Sequence, residues 1–121
     1  MSRFNQWFRR GEFECKCGCG QDTVDAELIK VLTKVRLHYG SPIIINSGNR
    51  CWNHNEVIGG SPTSKHPVGK AADFYVKDHN IGEVYQWMLG VFDRRYGLGL
   101  YVKDKFIHLD VRPTQARWVK E

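Results

Sequence analysis

The sequence has little that would carry it into or across a membrane. No run of about 18 apolar residues occurs in its 121 residues, so no bilayer-spanning helix and no membrane insertion are expected. The opening stretch, MSRFNQWFRRGEFEC, lacks the apolar segment of a secretory signal. Cytoplasmic synthesis without a signal peptide is therefore the expectation, with any export left to another factor. Internal repeats and low-complexity tracts are missing. So are blocks of basic residues: the formal charge is +5, but Lys and Arg are scattered. A basic surface draws polyanions such as nucleic acid or an acidic wall polymer. Without a clustered patch, no nucleic acid is expected as partner. The four cysteines, Cys15, Cys17, Cys19 and Cys51, lack the C-x2-C spacing of a zinc knuckle. CKCGCG reads first as small residues in a tight, Gly-rich turn. A structural metal site completed by Cys51 and a disulfide are the other readings, the disulfide disfavoured in a reducing compartment.

What is present fits one folded domain over residues 1–121. Four Trp, five Tyr and six Phe suffice for a modest core. DAELIKVLTKVRLHYG has the stripe of an amphipathic helix in Leu28, Val31, Leu32 and Val35, with Asp25 to cap it and Gly40 to end it. SPIIINSG reads as a short buried strand over 42–47, followed by a long polar connection. AADFYV is a second strand. NIGEVYQWMLGVFDRRYG is a second helix, with Asn80 and Glu83 as a capping box and Val84, Trp87, Met88 and Val91 toward the core. LGLYV and FIHLDV form a hairpin across KDK. The order predicts an α+β domain, helices packed on a mainly antiparallel sheet.

Two segments carry chemistry. In FIHLDVR, strand alternation puts Ile107, Leu109 and Val111 on one face and His108, Asp110 and Arg112 on the other. A polar outer face is the plain reading of that row, and for Arg112 a salt bridge to a nearby acid competes with a place in a cationic groove. In SKHPVGKAADF, Pro67 keeps His66 out of helical geometry and Gly69 permits a turn closed to other residues. Ala71 and Ala72 let the backbone lie close to a neighbour, and Asp73 opens a strand. The loop can fold back to bring His66 beside Asp73. With His108 from the hairpin, two imidazoles and one carboxylate make a tripodal site. Such a set suits a catalytic Zn2+ with water in the open position, or Fe2+.

These segments resemble the zinc D-Ala-D-Ala carboxypeptidase family, which includes phage L-alanyl-D-glutamate endopeptidases and shares its fold with the hedgehog signalling domain. GEFECKCGCG resembles the family's N-terminal segment. INSGNRCWNHNEVIGGSPTSKHPVGKAADF is similar to its central block, S-G-x-R-C-x-x-x-N, then G-G, then S-x-H-x-x-G-x-A-x-D. FIHLDVRP is similar to its closing H-x-D segment. The resemblance implies a hedgehog/DD-peptidase-like fold and one Zn2+ on His66, Asp73 and His108. It also implies a peptidoglycan peptide as substrate. Arg50 matches an arginine associated with substrate carboxylate or carbonyl binding, and Ser64 the serine before the first ligand. His54, close to Arg50, is a candidate substrate contact. Asn55 more naturally fixes the loop, His38 and His79 read as ordinary helix-end and loop residues, and Trp52 and Trp118 as packing or cleft walls. A monomer is expected, as is a phage lysin released by a separate factor or a bacterial wall enzyme.

One position departs from the pattern. Relatives often carry a catalytic acid three residues before the last histidine, where this sequence has Lys105. Asp110 is the favoured general base in its place and Asp104 the alternative. Lys105 keeps open a zinc-stabilised binding module of the same fold without catalysis, and the cysteine cluster a nucleic-acid-binding protein. The bond cut is L-Ala–D-Glu, D-Ala–D-Ala or a diaminopimelate cross-link, which the sequence does not decide.

Overall fold

The computed structural model describes residues 4–14, 24–48 and 69–121. A 3-10 turn spans Arg10–Phe13, helix α1 Ala26–Tyr39, strand β1 Ile43–Ser47 and strand β2 Ala71–Val76. Helix α2 spans Ile81–Val91, and strands β3, β4 and β5 span Gly97–Tyr101, Phe106–Asp110 and Ala116–Lys120. The five strands form one sheet in the order β1-β2-β4-β3-β5. Neighbours are antiparallel except β3 and β5, which run parallel. The sheet is thus mixed but mainly antiparallel, and with its helices it is α+β.

Local chemistry explains the helix ends. The Asp25 carboxylate accepts from Glu27 N at 2.8 Å and starts α1. Gly40, at φ 65°, stops it in the left-handed conformation. The Asn80 side chain accepts from Gly82 N and Glu83 N and starts α2. Gly69, at φ 71°, makes the turn expected of it, and its carbonyl accepts from Asp25 N at 2.8 Å.

The helices' apolar stripes and one sheet face form a common core. Leu28, Val31, Leu32 and Val35 of α1 meet Ala72, Phe74 and Val76 of β2, Leu98 of β3, and Ile107 and Leu109 of β4. Phe8 and Phe13 join from the N-terminal segment. From α2 come Val84, Tyr85 and Met88. The expected α2 stripe needs a correction: Val91 is exposed and Trp87 half-buried, while Tyr85 is buried. The reason is polar. The Tyr85 hydroxyl reaches the sheet, donating to Trp118 O at 3.0 Å with Leu98 O at 3.2 Å. Trp87 instead stacks against His38, ring centroids 4.0 Å apart.

Strand β5 and its anchor were not anticipated. Arg117 sends its guanidinium to four backbone carbonyls: Tyr96 O at 2.6 Å, Phe92 O at 2.7 Å, Ala116 O at 2.9 Å and Arg95 O at 3.0 Å. It thereby ties off the carbonyl end of α2 and a loop in which Arg94 and Tyr96 hold left-handed φ of 78° and 71°. Arg117→Met should cost about 2 kcal/mol in urea unfolding, because bonds to a charged donor are lost and the carbonyls are left unmatched. An unchanged midpoint would show the guanidinium to be dispensable.

Candidate metal centre

The sheet face away from the core carries the chemistry, and strand register builds it in two rows. In the first, Asp73 of β2 pairs with His108 of β4, His108 with Gly99 of β3, and Gly99 with Trp118 of β5. In the second, Ala71, Asp110, Gly97 and Ala116 follow in the same strand order. The first row holds an acid, an imidazole, a gap and an indole. The second holds one carboxylate flanked by residues with little or no side chain.

The gap at Gly99 is filled by Trp118. A Cβ at residue 99 would lie 2.3 Å from the indole, so a glycine is required for the ring to rest there. The indole N–H donates to the Tyr101 hydroxyl at 3.1 Å, and the ring sits 5.3 Å from the His108 ring, centroid to centroid. Trp118 is half-buried and walls the site on the β5 side.

His108 has a carboxylate at each ring nitrogen. Nδ1 is 3.0 Å from Asp73 Oδ1, and Nε2 is 2.8 Å from Asp110 Oδ2. The side chains of His108 and Asp73 keep 13% and 15% exposure, whereas Asp110 has none. Arg112 clamps Asp110 from the far side: Nε donates to Oδ1 and Nη2 to Oδ2, both at 2.7 Å. The backbone N–H of Arg112 adds a bond to Oδ1 at 3.3 Å. Burial alone would push the His108 ring below its ordinary value, but the hydrogen bonds and charges of Asp110 and Asp73 hold it above. Burial also opposes ionisation of Asp110. The hydrogen bonds and charges of His108 and Arg112 outweigh it and hold that carboxyl well below the usual carboxylate range.

Among the expected site residues, Asp73, His108 and Asp110 come together, joined by Arg112 through its salt bridge. His66, Arg50, Ser64, His54, Trp52 and the four cysteines lie outside the described residues. Among the described residues, no three His, Cys, Asp or Glu side chains are arranged to hold a metal ion. The described pair nevertheless fits one. Two ligand atoms on a tetrahedral zinc stand roughly 3.3 Å apart, given bonds of about 2.0–2.1 Å. Asp73 Oδ1 and His108 Nδ1 are 3.0 Å apart and belong to the donor types zinc accepts.

Asp110, the expected base, lies at the His108 ring nitrogen opposite the one that faces Asp73. A general base must reach the proton it abstracts. Asp110 is fully buried, with both oxygens engaged behind the histidine. Asp104 and Lys105 stand in the exposed β3–β4 turn, with Lys105 at φ 60°. Asp104 precedes His108 by four residues, across the turn that leads into β4. Both turn residues line a cleft of about 810 Å³ with Asn46, Tyr75, His79 and Leu100. Its lining, among the described residues, includes neither Asp73 nor His108.

By class, the chain is a peptidase: residues 6–110 match the family model described as Peptidase M15. It belongs to that family, as the two motif segments implied. No curated protein matches the chain. Among the described residues no helix is long and apolar enough to cross a membrane.

The packing of Trp118 is directly testable. Gly99→Ala should displace the indole and lower stability by about 1–3 kcal/mol, the usual cost of overfilling a packed contact. Chemical denaturation measures it, and an unchanged midpoint would refute the close packing.

Proposed function

We propose that the chain is a zinc peptidase that hydrolyses a peptide bond in peptidoglycan stem peptides or cross-links. The observation that carries this reading is the approach of Asp73 Oδ1 and His108 Nδ1 to 3.0 Å on adjacent strands, in a member of a peptidase family. His66 is the third ligand in this reading, arriving on the segment that leads into β2. A zinc ion held by these residues would supply Lewis acidity, enough to bring a water's pKa toward about 7.

The chain's own residues do the rest. Asp73 and His108 present their donors from neighbouring strands whose opposite faces are locked in the core, so both start in place. Arg50 holds a substrate carboxylate or the developing oxyanion, a task for which a forked cation is suited. Ser64 and His54 are further substrate contacts in this reading. The Trp118 indole, fixed by Tyr101, limits the approach from β5. Asp110 is occupied by His108 and Arg112, so the proton acceptor is another group. The expected products are stem-peptide fragments, released from L-Ala–D-Glu, D-Ala–D-Ala or a cross-link. A hedgehog/DD-peptidase-like arrangement and a monomer go with this reading.

A second reading has specific support. Lys105 stands where relatives place an acid, and it lies exposed in a turn. A zinc-stabilised binding module would need no acid there. Digestion of purified peptidoglycan, with zinc content measured on the same sample, separates the two. The peptidase reading expects one zinc per chain and fragments identifiable by mass spectrometry. Asp73→Ala should lose both, with cleavage reduced at least about 1000-fold. Zinc held without fragments from any wall preparation selects the module, and zinc retained by Asp73→Ala refutes the ligand set.

A further inference from the structure

His108 is asymmetric in its surroundings. Asp73 faces one nitrogen from the half-open side of the site, and Asp110 faces the other from a position with no exposure. Asp110 in turn receives a two-pronged contact from Arg112 at 2.7 Å through each nitrogen. A carboxylate held by a forked guanidinium is ionised, and an ionised carboxylate can only accept hydrogen bonds. The proton between Asp110 Oδ2 and His108 Nε2, 2.8 Å apart, therefore belongs to the ring. A neutral ring with its proton on Nε2 has its lone pair on Nδ1, on the side of Asp73.

We propose that Asp110 and Arg112 form a positioning pair that fixes His108 as the Nε2–H tautomer and so presents Nδ1 to the metal ion. This rests on the reading of His108 as a ligand and gives Asp110 a role other than base. Histidine ligands commonly donate their second N–H to a carboxylate, which sets both tautomer and ring orientation. Here the carboxylate is itself set by an arginine. Arg112 lies beyond residues 6–110, the part matched to the family. The space is made by β3: a Cβ at Gly97 would lie 2.4–2.7 Å from the atoms of the Asp110 carboxylate group. Ala71 and Ala116, in the same row, keep the flanks small. The pair touches no substrate in this account. It acts through His108.

The test uses the full chain and three readouts. Long-range proton–nitrogen NMR on the metal-free protein, at a pH where the ring's nitrogen shifts show it neutral, reads the His108 tautomer. Competition with a chromophoric chelator gives the zinc dissociation constant. Thermal unfolding without metal shows whether a variant folds. Wild type should show the Nε2–H tautomer. Arg112→Met should weaken zinc about 10–100-fold and populate the Nδ1–H tautomer. Arg112→Lys, which keeps the charge but gives up the fork, should fall between. Should Arg112→Met fail to fold, Arg112→Lys decides by the same readouts.

An Nδ1–H tautomer in wild type overturns the proposal, whatever the zinc result. A folded Arg112→Met with wild-type tautomer and wild-type zinc affinity overturns it too. His108→Ala checks the underlying reading separately. If that variant binds zinc as tightly as wild type, His108 is not a ligand and the metal-presenting half of the proposal falls with it. The tautomer measurement then still decides whether the pair orients the ring.

Discussion

Asp110 is an anion with no access to water, and much of the site can be derived from the need to keep it there. An isolated buried carboxylate costs several kcal/mol unless charge and hydrogen bonds compensate. Arg112 supplies a forked cation, the Arg112 backbone a further donor, and His108 a ring N–H. A side chain at residue 97 would collide with the Asp110 carboxylate where it now lies, and Gly97 provides that room. The same strand gives up a second side chain at Gly99, and Trp118 lies over the vacated position beside the histidine. The GLG of β3 thus shapes both rows of the site, although neither glycine bears any chemistry of its own.

The cost of that charge is spread through a rigid scaffold. His108 and Asp110 alternate along β4 with Ile107 and Leu109, which are wholly buried in the core. Asp73 likewise sits between Ala72 and Phe74, both without exposure. A slip of one residue in either strand would put these acids into the apolar core and the aliphatic groups outside. The register that aligns Asp73 with His108 is therefore enforced from the opposite face of the sheet. The placement of the Asp73 and His108 side chains comes from packing as much as from the residues themselves.

Much of this was legible in the sequence, and for identifiable reasons. The period-two pattern of FIHLDVR separates two faces without ambiguity. The helix caps Asp25, Gly40 and Asn80 announce themselves by residue type. The motif segments carried the family. Strand β5 was missed because ARWVK has only weak alternation and pairs in parallel with a strand remote in sequence, which no turn signal advertises. Arg117 was missed for a related reason: an arginine bound to four carbonyls has no sequence signature. The role of Asp110 could not be read from spacing. Alternation places it on the face of His108 but says nothing of its burial or of the Arg112 fork that holds it.

The central claim is that Asp73 and His108 hold a metal ion together, with His108 bonding through Nδ1. Diffraction from crystals of the zinc-loaded protein, collected on both sides of the zinc absorption edge, tests it most directly. The account predicts one anomalous peak, within about 2.0–2.2 Å of Asp73 Oδ1 and of His108 Nδ1, with Nε2 still bonded to Asp110. A peak bonded to Nε2, a peak on the cysteine cluster alone, or no peak at Asp73 and His108 would contradict it.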